Sequence, residues 1–337
     1  MDGLPHNLRL QTIDPMMAGN PLVAGPVIAG HGFGMQHTLR AAISCVGVGL
    51  HSGHRVALTL RPAPANSGIV VRRTDLGGLE IPARFDHVVD TRLCTVLARP
   101  GAPESRVGTV EHVMAAHAGC GVHNAVLEVD GPELPILDGS ARDFVFLIDC
   151  AGIVGQDVPV GAIEVARVVR VSHGESFAEL RPGPHGFDMS VSIDFDAAAI
   201  GRQALTLRLG ASVFRNRLAR ARTFTLASEV KYLREAGLAR GGSLDNAVVV
   251  DGPAVLNPGG LRMPDEFVRH KLLDAVGDLA LAGTVLHGRY VANRPSHALN
   301  NRLLRALFDD AANWRLAPTP ESVAGWQTRL PAAAAPV

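Results

Sequence analysis

Phe267-Val-Arg-His-Lys-Leu-Leu-Asp-Ala-Val-Gly-Asp278 is the most helix-like stretch of the sequence, and the residues it carries govern how the rest is read. Pro264 precedes it and Gly283 follows it, so a helix is expected over 265–281. Leu272, Leu273, Val276 and Leu279 mark that helix as packed into the protein. His270, Asp274 and Asp278 are spaced i, i+4 and i+8 and project along one face. Carboxylates on a packed helix are costly unless a cation pairs with them, and a His and an Asp one turn apart can ligate a single metal ion. A pair at this spacing is more often an ordinary surface pair, so the surroundings must decide.

The surroundings include Thr109-Val-Glu-His-Val-Met-Ala-Ala116, where Glu111 and His112 open an otherwise apolar helix expected over 110–118. His112, His270 and Asp274 together make a plausible three-ligand site with one position left for water, as in hydrolytic zinc centres. Iron(II) suits the same two-His, one-carboxylate set. Competing motifs are weak or missing. Gly47-Val-Gly-Leu-His-Ser52 lacks the third glycine of a dinucleotide fingerprint. His51 and His54 sit in a turn and read as plain loop, and there is no Walker loop, GxSxG elbow or HExxH.

Composition bounds the answer. Nearly half of the 337 residues (47%) are hydrophobic and 19% are charged, a globular profile. Lys plus Arg (32) balance Asp plus Glu (32), and aromatics are few, so nothing argues for wrapping nucleic acid. Cys45, Cys94, Cys120 and Cys150 are widely spaced, without CxxC pairing, and read as reduced thiols of a cytoplasmic protein. No apolar run reaches the ~18 residues of a membrane span. Residues 1–34 are expected to be a disordered extension, or to precede a true start at Met35.

Along the chain, 37–46 is expected as one strand, 56–60 as a second, and short strands at 69–71, 79–81 and 94–97. A strand over 123–129 precedes a helix from Ser140, as N-cap, to Ala151, with Gly152 as its stop. The short polar stretch 155–161 reads as a domain boundary, dividing domain I (35–158) from domain II (163–312). Ile163–Val171 alternates as a strand, and 222–250 has βαβ texture, its helix starting at Ser228 as N-cap. A helix is expected over 296–308, and 313–337 reads as a loose tail. Asn124-Ala-Val-Leu-Glu-Val-Asp-Gly-Pro132 and Asn246-Ala-Val-Val-Val-Asp-Gly-Pro253 look alike, a weak repeat signal.

Taken together, the segments resemble the UDP-3-O-acyl-N-acetylglucosamine deacetylase family. The matching strings are Gly47-Val-Gly-Leu-His-Ser-Gly53, Asp90-Thr-Arg-Leu-Cys-Thr95, Thr109-Val-Glu-His112 and Pro132-Glu-Leu-Pro-Ile-Leu-Asp-Gly-Ser-Ala141. They continue through Ala221-Arg-Thr-Phe224, Gly241-Gly-Ser-Leu-Asp-Asn246, the 265–278 helix and His297-Ala-Leu-Asn-Asn301. The resemblance implies an α+β fold of two similar layered domains, each a sheet packed with helices and carrying a small insert. Those inserts would be the strand-rich stretch 69–97 and the βαβ unit 222–250, with the active site between the domains.

It also implies chemistry: His112, His270 and Asp274 binding zinc, Glu111 as general base, Thr223 at the oxyanion, and His297 protonated with Asp278 orienting it. Lys271 would face the diphosphate of a UDP-linked acylated amino sugar, Phe224 and Leu226 would line the acyl region, and Cys94 would lie near the site. The implied reaction is the committed deacetylation of Gram-negative lipid A synthesis, by a cytoplasmic monomer whose tail could be read by a regulatory protease. The sequence departs from the family at Asp196-Ala-Ala-Ala199, where a His-Pro pair is usual, and at Ser296, where glycine is usual. Two other readings stay open: a zinc amidase for a different N-acetylated sugar, and a non-catalytic binding protein that keeps the fold.

Overall fold

The computed structural model describes residues 34–317; the expected extension before Gly34, and the part of the expected tail after Ala317 together with its expected reading by a protease, lie outside the described residues. The first half runs β1 (Met35–Leu39), β2 (Ile43–Val48), β3 (Arg55–Pro62), β4 (Ile69–Arg73), β5 (Leu79–Pro82), β6 (Val88–Asp90), β7 (Val96–Arg99) and β8 (Ala102–Val107). It closes with α1 (Glu111–Cys120), β9 (Ala125–Val129), α2 (Arg142–Ala151) and β10 (Ile153–Pro159). The second half runs β11 (Ala162–Val165), β12 (Val169–His173), β13 (Ser176–Arg181), β14 (Phe187–Asp194), β15 (Arg202–Leu209) and the single turn α3 (Ala211–Val213). Then follow β16 (Phe224–Leu226), α4 (Ala227–Glu235), β17 (Val248–Asp251), β18 (Ala254–Val255), α5 (Glu266–Ala280), β19 (Val285–Asn293), α6 (His297–Asp309) and β20 (Trp314–Leu316).

The architecture is α+β and internally duplicated. The first sheet has the order β2-β3-β9-β4-β5, and the second contains β12-β13-β19 with β14 and β15 continuing beyond β19. The pairings match step for step: β9 is antiparallel to β3 and parallel to β4, as β19 is antiparallel to β13 and parallel to β14. Thus α1 corresponds to α5 and β9 to β19. The look-alike strings at 124–132 and 246–253 are therefore not the repeat, because β9 lies in the middle of its sheet while β17 belongs to a separate small one. Alternation explains the layers: Leu58, Leu60, Leu127 and Val129, like Met189, Val191 and Ile193, are buried on one sheet face. The two layered halves meet where α1 packs along α5.

Several expected boundaries shift. The strand expected over 37–46 is two, because Arg40 and Ala41 give their N–H groups to the carbonyls of Gly152 and Ala151 while β1 pairs with β10 and β2 with β3. The 155–161 stretch is largely strand β10, not linker. Of the strands expected in the first insert, β4 and β5 complete the main sheet, and the separate three-stranded sheet is β6-β7-β8, reaching to Val107. The 163–171 strand breaks at 166–168, and 314–316 is strand β20 on β11 rather than loose tail. Ser140 caps from one residue farther out, its hydroxyl accepting the Arg142 N–H at 3.1 Å, with Ala141 as N-cap. Ser228 lies inside the first turn of α4, whose N-cap is Leu226. The βαβ unit itself is present, β16 and β17 being parallel around α4.

Candidate active site

Glu111 and His112 are the first two residues of α1, and both are buried. The preceding loop is held in an uncommon conformation, Thr109 having φ +59°, which is costly for a β-branched residue. Glu133 secures it, accepting the Thr109 hydroxyl at 3.1 Å and the backbone N–H groups of His51 and Ser52 at 2.8 and 2.9 Å. The glycine-rich turn 47–53 is thus a brace for α1 rather than a phosphate cradle. Gly277 on α5 lets the two helices touch, so α1 presents Glu111 and His112 beside His270 and Asp274 of α5.

The donor set has a definite electrostatic character. His270 gives Nδ1–H to the Ala221 carbonyl at 3.1 Å, which leaves Nε2 as a lone pair. Burial lowers its pKa to about 4, so the ring is neutral. That Nε2 lies 3.2 Å from Asp274 Oδ1, and His112 Nε2 lies 3.7 Å from the same oxygen. Burial alone would raise the Asp274 pKa, but neighbouring positive charge, that of Lys271 in particular, outweighs it and holds the carboxylate well below the usual range. Asp274 Oδ1 is buried without a hydrogen-bond partner. A buried carboxylate oxygen facing two imidazole nitrogens and lacking a donor is satisfied by a cation, and the three ligand atoms lie within 4.8 Å of one another. The residues fit a divalent metal.

Around this trio sits a network of hydrogen-bonded titratable groups. Glu111 Oε2 accepts the Thr95 N–H at 3.0 Å, and burial raises the Glu111 pKa. His297, first residue of α6, lies with Nε2 3.9 Å from Glu111 Oε1 and Nδ1 2.8 Å from Asp278 Oδ2. Burial opposes its charge, yet Asp278 and then Glu111 outweigh burial and push the pKa up to about 10. Asp278 is itself saturated: it also accepts the Thr95 hydroxyl at 2.6 Å and the Asn300 amide at 2.8 Å. Asn300 in turn accepts the Tyr290 hydroxyl at 2.6 Å. Ser296 does not need glycine's freedom, since its φ is −144° and its hydroxyl caps α6 by accepting the Leu299 N–H.

Of the residues singled out in the sequence, Glu111, His112, His270, Asp274, Asp278 and His297 converge. Lys271 flanks them, its Nζ 3.3 Å from Asp274 Oδ2 and 5.5 Å from the Phe224 ring centre. Phe224 also packs edge-on against Phe267 and His270, and Leu226 follows it on β16. Thr223 is half-buried, its N–H bound to the Gly139 carbonyl and its carbonyl to Val248 N–H. Cys94 is buried, and burial raises its thiol pKa. Sequence reasoning missed Thr95 and Asn300 as working residues, although both lie inside quoted strings. It also missed the buried Arg222–Glu266 pair (2.8 Å) that fixes the segment carrying Ala221 and Thr223.

Comparison with known proteins points the same way. Residues 36–309 match the family model of UDP-3-O-acyl N-acetylglycosamine deacetylase. A UDP-3-O-acyl-N-acetylglucosamine deacetylase of Myxococcus xanthus is 49% identical over 284 residues, 84% of this chain and 89% of the relative. Its counterpart in Idiomarina loihiensis is 48% identical over 292 residues, 86% and 94% of the two chains. The Shewanella violacea protein of the same name is 46% identical over 284 residues, 83% and 92%.

Proposed function

The chain belongs to the UDP-3-O-acyl N-acetylglycosamine deacetylase family, and from that premise we propose that it uses zinc to hydrolyse the N-acetyl group of UDP-3-O-(3-hydroxyacyl)-N-acetylglucosamine. The products are the free amine and acetate, and the step belongs to lipid A biosynthesis. We place the activity in a cytoplasmic monomer; among the described residues no helix is long and apolar enough to cross a membrane. The observation that carries the zinc reading is the partnerless Asp274 Oδ1 set between two imidazole nitrogens.

His112, His270 and Asp274 would hold the zinc, which when bound supplies Lewis acidity and brings the pKa of a water down to ~7. Glu111 takes the proton as the water oxygen bonds to the acetamide carbon; its burial-raised pKa makes it a base of useful strength. The Thr223 hydroxyl donates to the oxyanion as it develops. His297, held as the cation by Asp278, stabilises that negative charge and protonates the sugar nitrogen as the C–N bond breaks. Lys271 meets the substrate's diphosphate as a point charge. Phe224 and Leu226 offer apolar surface to the acyl chain, and Cys94 contributes to the substrate-binding region.

The test is acetate release from that substrate by the zinc-replete protein, with Glu111→Ala beside it. Removal of a general base lowers kcat by about two to four orders of magnitude. Turnover in the parent that survives in the variant would sink the assignment of the base. No turnover by folded, metal-loaded protein would sink the substrate.

A further inference from the structure

A second cluster of metal-ligating side chains stands on the strands of the second sheet, apart from α1 and α5. β11 and β19 run parallel with Glu164 directly opposite His287, so the two side chains leave the same face. His185, in the loop between β13 and β14, leans over them. Its Nδ1 lies 3.8 Å from Glu164 Oε1, and its ring meets that of His287 edge-on at 5.4 Å. One ligand atom from each of the three residues falls within 4.8 Å of the others. His287 Nδ1 is buried with no hydrogen-bond partner. The residues border a cavity of about 290 Å³ that also touches Pro182, Pro184 and Arg315.

The loop is anchored. Pro182 and Pro184 fix their own φ angles. The Gly186 carbonyl accepts the Gly288 N–H at 2.9 Å, and the Arg208 guanidinium donates to the His185 carbonyl at 2.9 Å. At Gly183 a β-carbon would stand 3.1 Å from the backbone of Gly288, so the loop lies against β19. The exposed His185 side chain can turn to bring its nitrogen onto an ion. Arg315 of β20 donates to Glu164 Oε2 at 2.7 Å, leaving Oε1 for the imidazole side. The arginine's charge opposes a cation here, so the ion that binds best is one that bonds strongly to imidazole.

We propose that Glu164, His185 and His287 form a second divalent-metal site, selective for imidazole-seeking ions such as zinc, cobalt or nickel over magnesium or calcium. The ion joins β11, β19 and the β13–β14 loop, and through Arg315 it lies beside β20, which has β11 as its neighbour in the sheet.

The experiment is a calorimetric titration of the metal-stripped full chain with zinc alone, and with magnesium as the control ion. The expected result is two zinc equivalents per chain. His287→Ala and His185→Asn each weaken one of them by at least ~10-fold, since losing a ligand costs no less than losing an outer-shell partner. Acetate release at low zinc stays unchanged in both variants. His270→Ala removes the other equivalent and leaves this one. The exposed position of His185 makes its variant a safe test of folding. A single equivalent in the parent, or a second equivalent that survives both His287→Ala and His185→Asn, overturns the proposal.

Discussion

Gly277 of α5 lies against the backbone of Glu111 on α1 so closely that a β-carbon at position 277 would stand 2.0 Å from the Glu111 carbonyl oxygen. The obstacle is backbone, which cannot rotate away as a side chain can. Because α1 carries Glu111 and His112 while α5 carries His270 and Asp274, the distance between these helices is also the spacing of the site. Gly277→Ala is expected to destabilise the fold by about 1–3 kcal/mol, the usual cost of overpacking. It should also weaken zinc binding. Urea unfolding and a zinc titration of the same preparation check both. Unchanged metal affinity would show that the helix contact does not set the site.

The pH dependence follows from His297. Its pKa in the folded protein is raised from 6.5 to about 10. A raised value means that the folded state favours the cation. The resulting stabilisation is complete below the unfolded value and is lost as pH rises through the folded one. A divalent ion on the neighbouring ligands adds positive charge and draws the folded value down, so the alkaline limb of kcat/KM in loaded enzyme falls below pH 10. Asp278→Asn should move that limb to still lower pH, and Asp278→Glu should restore part of the shift. A limb that stays in place in Asp278→Asn would remove His297 as its source.

Legibility in the sequence divides along a physical line. His270 and Asp274 stood out as candidate metal ligands because a helix puts i and i+4 on one face, and carboxylates among Leu272, Leu273 and Val276 demand a cation. Thr95 carried no such sign. It works because pairing across 183 positions of chain sets its hydroxyl on Asp278, and no local pattern reports that. The duplication escaped for a related reason. It resides in strand order and direction, which β9 and β19 share, while the strings that look alike belong to strands in unlike places. Boundaries slipped where the chain changes partners without changing composition, as at Arg40 and Ala41 between β1 and β2.

Metal removal should separate structure from chemistry. With zinc stripped, Asp274 Oδ1 again faces imidazole nitrogens with nothing to satisfy it, so the apoprotein is both inactive and less stable. Saturating zinc at about 100 times its Kd should add about 2.7 kcal/mol by mass action alone. Thermal unfolding before chelation, after it, and after zinc is restored measures the difference. Equal stability with and without zinc would contradict the reading of the trio as its ligands.

Glu266 offers the last test, at a position that touches none of the reacting groups. It is fully buried at the start of α5 and accepts four bonds: Arg222 N–H at 3.0 Å, Arg222 Nε at 2.8 Å, Arg222 Nη2 at 3.1 Å and Arg262 N–H at 2.7 Å. These hold the segment in which Ala221 orients His270 and which carries Thr223, the proposed oxyanion donor. Removing the carboxylate leaves the Arg222 cation unpaired in the interior, and breaking one partner of a buried pair costs about 3–5 kcal/mol. Glu266→Ala is therefore expected to lose that much stability and, in the fraction that folds, to lose kcat more than KM, because Thr223, the proposed oxyanion donor, is displaced. Replacing both Arg222 and Glu266 with Met removes the stranded charge and should recover much of the stability but not the rate. Denaturant unfolding with parallel kinetics reads the two effects apart, and a double variant as unstable as Glu266→Ala would mean that the backbone bonds, not the charge, are what the pair protects.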